Sequence, residues 1–187
     1  PSPVTGTSFT MTPKQMTSEA ISLGGAIIDV KGGYTISADF TVKTNSSMES
    51  HFGITAATIN NEPYTFGMLS NGNWNTPDGN IPTQVYTPYV RRNNGNELIS
   101  SEGSSFVAND DGVTVNIKVI VTDKTITYYI NNVLAKTFDV SDKTVTPYAA
   151  LTARGANVTV SNISVIVPSN ELHAQHTYDF ECDSICN

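Results

Sequence analysis

Along most of the chain, apolar and polar residues alternate with a period of two. In the run from Tyr34 to Lys43, residues Tyr34, Ile36, Ala38, Phe40 and Val42 fall on one side, and Thr35, Ser37, Asp39, Thr41 and Lys43 on the other. That pattern predicts a half-buried antiparallel strand, with one face on a core and one in water. Lys31-Gly32-Gly33 before it is a turn signal. Further on, Val113, Val115, Ile117, Val119 and Val121 alternate with Thr114, Asn116 and Lys118, and Asp123-Lys124 marks a reversal into Ile126, Tyr128 and Ile130. Asn131-Asn132 then predicts a two-residue type I′ turn, because Asn tolerates the positive φ this turn demands. Val133 to Phe138 returns from it. In the closing strand, 157–167, Val158 and Val160 share one parity, while Ile163, Val165 and Val167 share the other. The phase switch predicts a bulge near Ser161-Asn162. Short strands at this spacing, with no heptad, repeat or helical period, predict a sandwich or barrel.

The pattern divides the chain into a polar lead-in (1–17), an all-β body (18–167) and a tail (168–187) of different composition. The lead-in has room for one edge strand. Composition sharpens this. Only 14% of residues are charged, against about 25% in soluble domains generally, and Thr, Ser, Asn, Val and Ile fill the deficit. Such β-branched content excludes disorder, and the scarcity of strong helix formers argues against a bundle. No run approaches the roughly 18 apolar residues of a membrane span. The net charge of −7 repels phosphate backbones and anionic membrane surfaces, so neither nucleic acid nor membrane is an expected partner. Pro1-Ser-Pro-Val-Thr-Gly6 lacks the basic start and apolar core of a signal peptide. Both cysteines, Cys182 and Cys186, lie in the tail, so the body is expected to fold without a disulfide.

Several segments carry a family resemblance. The strand from Val113, its Asp-Lys reversal and "TITYYINNVLAKTF" resemble the central hairpins of concanavalin A-like lectin/glucanase and laminin-G-like domains. "YAALTARGANVTVSNISVIV" resembles the last two strands of that family, "YTISADFTVKT" an early strand and "HFGITAAT" the next. The resemblance covers roughly residues 18–167 and implies an antiparallel β-sandwich of jelly-roll type. The family includes carbohydrate-binding modules, lectins, adhesion domains and glycoside hydrolases, so fold alone does not settle function. The tail sequence "HTYDFECDSICN" resembles the start of short Cys-containing repeats in modular surface proteins of Gram-positive bacteria. That implies a monomeric domain of a larger, secreted or cell-surface protein; an unremarkable tail is the competing reading.

Enzymatic constellations are sparse. Retaining glycosidases need two carboxylates about 5–5.5 Å apart, and laminarinase-like relatives use Glu-x-Asp-x-x-Glu. The nearest run, Glu181-Cys182-Asp183-Ser184-Ile185-Cys186, lacks the last Glu and lies in the tail. No Gly-x-Ser-x-Gly elbow is present, and of His51, His173 and His176 two are in the tail. No catalytic residue is assigned. His173, His176, Cys182 and Cys186 have zinc-ligand types at loose spacing; a local disulfide competes with that reading, free or truncated thiols stand ahead of both, and no metal ligand is assigned. Asn109-Asp110-Asp111-Gly112 reads first as a polar turn, and its oxygens are also the kind that a structural Ca2+ requires. The sequons at Asn45, Asn157 and Asn162 are what chance gives in so Asn-, Ser- and Thr-rich a chain.

The informative stretch is 60–97. It holds nine of the chain's 18 asparagines and its only tryptophan, Trp74, flanked by Tyr64, Phe66, Tyr86, Tyr89, Arg91 and Arg92. Sugar recognition needs this mixture: an aromatic ring for the C–H face of a pyranose, amides that both donate and accept, and the fixed fork of a guanidinium. A Trp between asparagines in a Gly-punctuated loop is expected at the surface. The competing reading is turn chemistry for the asparagines and strand faces for the aromatics, with Trp74 capping an open end of the sandwich. The expected function is non-catalytic glycan binding through Trp74, Tyr89, Arg91, Asn73, Asn93, Tyr86, Tyr64 and His51, the last on a strand lining the concave face. An adhesion or spacer module and a glycoside hydrolase are the alternatives.

Overall fold

In a computed structural model, which describes residues 7–23, 32–93, 97–100 and 103–168, thirteen strands form two facing antiparallel sheets. They are β1 (Phe9–Met11), β2 (Ser18–Ser22), β3 (Tyr34–Lys43), β4 (Glu49–Ile59), β5 (Glu62–Asn71), β6 (Val85–Arg92), β7 (Glu97–Ser100), β8 (Phe106–Val107), β9 (Val113–Val121), β10 (Thr125–Ile130), β11 (Val133–Asp139), β12 (Val145–Arg154) and β13 (Asn157–Ile166). The first sheet runs β1-β13-β3-β9-β10-β11 and the second β2-β12-β4-β5-β6-β7, with β8 on the edge of β6. No helix occurs among the described residues, and none is long and apolar enough to cross a membrane. The fold is the expected all-β sandwich.

Local chemistry explains the turns. Asn131 and Asn132 have φ of 48° and 63°, the expected type I′ signature, and Asn60 and Asn61 repeat it between β4 and β5 at 50° and 67°. The β13–β3 register slips between Ser161 and Ser164, with Asn162 at φ 51°, so the bulge falls where the parity switch put it. The lead-in supplies β1, which pairs with β13, and its Met11 is buried in the core. In the Asn109–Gly112 turn, the Asn109 side chain accepts the Gly112 N–H at 2.7 Å, and the Asp110 carboxylate accepts the Thr44 hydroxyl.

The core lies between the sheets. Phe40, Phe52, Phe66, Tyr86 and Tyr128 are fully buried there, with Phe40 and Phe52 rings 5.1 Å apart across the interface. Two buried tyrosines carry hydroxyls that need partners. Tyr34 donates to the Ala56 carbonyl at 2.6 Å, and Tyr128 donates to the Gly67 carbonyl at 2.5 Å. Gly67 stands opposite Gly53 on β4, and the backbones approach so closely that a Cβ at position 67 would sit 1.8 Å from the Phe52 carbonyl oxygen. Only glycine fits either position. The pair leaves the outer face of the second sheet without side chains at its centre.

Candidate functional site

That outer face carries the candidate site. On β4 the parity that sends Phe52 and Ile54 into the core turns Glu49, His51 and Thr55 to the other face; on β5 it turns Thr65, Leu69 and Asn71 there; on β6, Tyr89 and Arg91; on β12, Tyr148, Thr152 and Arg154. The register aligns them in rows: Arg154–His51–Leu69, Thr152–Gly53–Gly67–Tyr89, and Thr55–Thr65–Arg91. An open groove of about 170 Å³ crosses these strands, from Arg91 and Asn93 past Thr65, Thr55 and Thr152 to Arg154 and Ser18.

The floor is built of hydroxyls. Thr152 donates to the Gly53 carbonyl at 3.4 Å, Thr55 donates to Thr152 at 3.3 Å, Thr55 and Thr65 lie 2.6 Å apart, and Thr65 donates to Asn93 Oδ1 at 3.0 Å. Each hydroxyl has one proton, so three protons serve four contacts. One of the four contacts therefore lacks a proton at any moment.

Beside this floor lies a more strained polar group. Tyr89 is 2% exposed yet belongs to no part of the inter-sheet core. Its ring meets His51 edge-on, with centroids 5.6 Å apart. The two strands flank β5, so the contact passes over β5, where Gly67 offers no side chain. The Tyr89 hydroxyl has no hydrogen-bond partner among the described residues. Burial pushes its pKa well above the ordinary phenol value, only partly offset by the nearby Arg91 charge. His51 is 4% exposed, and its Nε2 lies 3.4 Å from Glu49 Oε1, a contact without the alignment of a hydrogen bond. Burial holds the imidazole below its usual range, against the pull of Glu49. The contact with the imidazole in turn holds the Glu49 carboxyl below its usual range. Arg154 Nε approaches the same Glu49 oxygen at 3.7 Å. Arg91 is part-buried, and desolvation lowers its pKa.

The residues expected from sequence divide three ways. His51, Arg91 and Asn93 line the groove, and Tyr89 packs beneath its edge. Trp74 and Asn73 lie elsewhere, in the loop from Gly72 to Gln84. Trp74 is 37% exposed, and its Nε1 donates to Asn71 Oδ1 at 2.8 Å, which holds the indole at the end of β5, on the outward side but beyond Glu49. The Asn73 side chain accepts the Asn75 N–H at 3.2 Å, and its backbone pairs with Ile81, so it shapes the loop. Tyr86 and Tyr64 correct the sequence reading. Their parity turns both inward: Tyr86 is fully buried between Phe52 and Phe106, and Tyr64 packs against the core. Neither is placed to meet a ligand in the groove. Arg92, of opposite parity to Arg91, meets Glu62 at 3.2 Å. Arg154, Thr55, Thr65 and Thr152 were not foreseen. Their signal was the outward parity of polar residues in strands whose other parity is small or apolar.

Among the described residues no group of three or more His, Cys, Asp or Glu is placed to hold a metal ion. His173, His176, Cys182, Cys186, Glu181 and Asp183 lie outside the described residues.

No protein-family model matches this chain, and no curated protein sequence does. Solved structures do resemble it. An alginate lyase from Alteromonas sp. 272 is similar over 91% of this chain and 92% of its own, at 11% identity and a TM-score of 0.52. The polysaccharide lyase family 18 protein aly-SJ02 is similar over the same shares at 11% identity and a TM-score of 0.50. The CBM2 module of the evolved Dit protein of Lactobacillus casei BL23 phage J-1 aligns over 87% of this chain and 77% of its own, at 11% identity and a TM-score of 0.46. At these identities the likeness is one of fold, a jelly-roll β-sandwich.

Proposed function

We propose that the outer face of the second sheet binds glycan, and that the chain is a non-catalytic carbohydrate-binding domain of concanavalin A-like type, acting within a secreted or cell-surface bacterial protein. One observation carries this reading: an open groove floored by a threonine chain and ended by Arg91, Asn93 and Arg154. A sugar is a dense array of hydroxyls, and hydroxyl and amide groups that both donate and accept match it without committing to one geometry. The groove is well below the roughly 300–1,000 Å³ of sites that enclose a drug-sized ligand. An open channel of that size suits units of a polymer lying across it. Trp74, outside the groove on the same side, is positioned to stack on a further unit. Binding of single sites is expected to be weak and to gain from multivalency.

A glycan array probed with the intact chain, and with Thr65→Val and Trp74→Ala variants, tests the reading. Binding that Thr65→Val weakens supports it; binding to no glycan overturns it in favour of an adhesion or spacer module. A second reading rests on the unpartnered Tyr89 hydroxyl against His51: phenol and imidazole are both side chains that serve as general acids and bases. New reducing ends on incubation with a bound polysaccharide, lost in Tyr89→Phe, would replace the non-catalytic reading with that one.

A further inference from the structure

Among the described residues one phenol ring lines the groove, that of Tyr148 on β12. Thr55 and Thr65 of the floor are buried, whereas Tyr148 is 44% exposed, so its ring stands clear of the floor. Pro63, in the neighbouring row Thr146–Thr58–Pro63, brings a second ring to the same lining. The backbone under Tyr148 is irregular on two strands at once. The β12–β4 register slips between Pro147 and Ala150, so Tyr148 and Ala149 stand against the single residue Ala56. The β4–β5 register slips at that same residue, between Thr55 and Ala57. A bulge redirects the side chain it carries, and the backbone groups it frees need partners. The Ala149 carbonyl accepts the Leu23 N–H at 2.8 Å, and the Ala56 carbonyl accepts the buried Tyr34 hydroxyl at 2.6 Å. That hydroxyl also accepts the Tyr148 N–H at 3.5 Å. Tyr34 comes from β3 in the other sheet, so a phenol that crosses the core ends on the backbone carrying Tyr148. The exposed Tyr148 ring adds little to the core, and it offers the apolar face that a hydroxyl floor lacks.

We propose that Tyr148 is the stacking residue of the groove: a pyranose unit lays its C–H face on this ring and turns its hydroxyl edge to Thr55, Thr65 and Thr152. The Tyr34 hydroxyl is the positioning group that holds the Tyr148 backbone at the bulge. The inference rests on the glycan-binding reading above and adds the face by which the sugar is received. The C–H face of a pyranose is weakly apolar and its hydroxyls lie around the rim, so a ring beside a hydroxyl floor meets both at once. Neither contact calls for a charged ligand, so neutral and acidic sugars are received alike.

The test is calorimetric titration of the whole chain with cellohexaose, mannohexaose and hexagalacturonate, with proton NMR of each bound sugar. At least one probe should bind, and its C–H protons should move upfield in the ring current of Tyr148. Tyr148→Ala should lower that affinity about tenfold and abolish the upfield shift, whereas Tyr148→Trp should keep both. Tyr34→Phe should lower affinity about threefold in the intact chain and not at all in the Tyr148→Ala background, because the two act through one contact. Unfolding midpoints establish that each variant is folded. Affinity unchanged in Tyr148→Ala, or no upfield shift in a bound sugar, overturns this inference and leaves the glycan-binding reading standing. An equal loss from Tyr34→Phe in both backgrounds overturns the positioning role of Tyr34. Failure of all three probes to bind also overturns the inference, and the glycan array then decides the broader reading by itself.

Discussion

The two sheets turn opposite kinds of polar surface to the outside. On the first, cross-strand pairs settle their own hydrogen bonds: Thr10 with Thr159 at 3.0 Å, Thr41 with Thr114 at 2.8 Å, and Asn116 and Asn162 on the Asp39 carboxylate at 2.9 and 2.7 Å. On the second, the polar groups are more numerous than the bonds among them. Thr55, Thr65 and His51 are buried, Tyr89 is nearly sealed, and its hydroxyl and His51 Nε2 lack hydrogen-bond partners among the described residues. Both faces are Thr-rich and low in charge. A satisfied polar face keeps a sandwich soluble. An over-supplied, half-buried one costs stability.

The sharpest way to break this contrast is at its centre. Gly67→Ala places a Cβ 1.8 Å from the Phe52 carbonyl oxygen, and should cost more than about 4 kcal/mol. Denaturant unfolding measures it. A loss within about 1 kcal/mol would mean that β4 and β5 part easily there and that the bare centre of the face is not enforced. Tyr89 comes next. Its ring covers that centre, so Tyr89→Ala should cost about 3 kcal/mol, whereas Tyr89→Phe, which removes only an unpartnered hydroxyl, should be neutral or stabilising by up to about 1 kcal/mol. If the phenylalanine variant is clearly destabilised, the hydroxyl is bonded in solution and the face is less over-supplied than described.

Acid provides the third probe. Burial lowers the His51 pKa from 6.5, so between that value and the lower folded one the unfolded chain binds the extra proton. Stability is then highest above pH 6.5 and falls as pH drops below it. Glu49, lowered from 4.5, extends the decline in the same direction below that pH. Thermal unfolding across pH 8 to 4 should show the loss, and His51→Gln should remove its upper part. A flat profile down to pH 5 would place His51 in solvent. The smallest effect belongs to the first sheet. Thr114→Val breaks one exposed hydroxyl pair and should change stability by no more than about 0.5–1 kcal/mol. A larger loss would show that this face also does structural service beyond its strands.

The strands were legible because a buried face at period two leaves few alternatives: 34–43, the two hairpins after Val113 and the bulge at Ser161 all follow from parity. Turn chemistry was legible for Asn131-Asn132 but was overlooked at Asn60-Asn61, where the same chemistry was absorbed into an apparent binding cluster. The site was half legible. Arg91, Asn93, His51 and Tyr89 were marked by type, and parity separated Arg91 from Arg92. Tyr86 and Tyr64 misled because an aromatic near a loop reads alike whether it faces in or out until strand ends are known. Arg154 and the threonines carry only the signal of outward polar parity, and nothing local announces that Arg154 meets Ser18, over 130 positions away.

That last separation has a temporal meaning. The groove needs β6, β5 and β4 from the middle of the chain, but also β12 near one end and β2 near the other. Among the described residues β2 pairs only with β12. During synthesis, most of the sequence must leave the ribosome before the wall containing Arg154 can close, and pairings over such sequence distances form slowly. The groove therefore stays open on that side until β12 has been made and has paired with both β4 and β2.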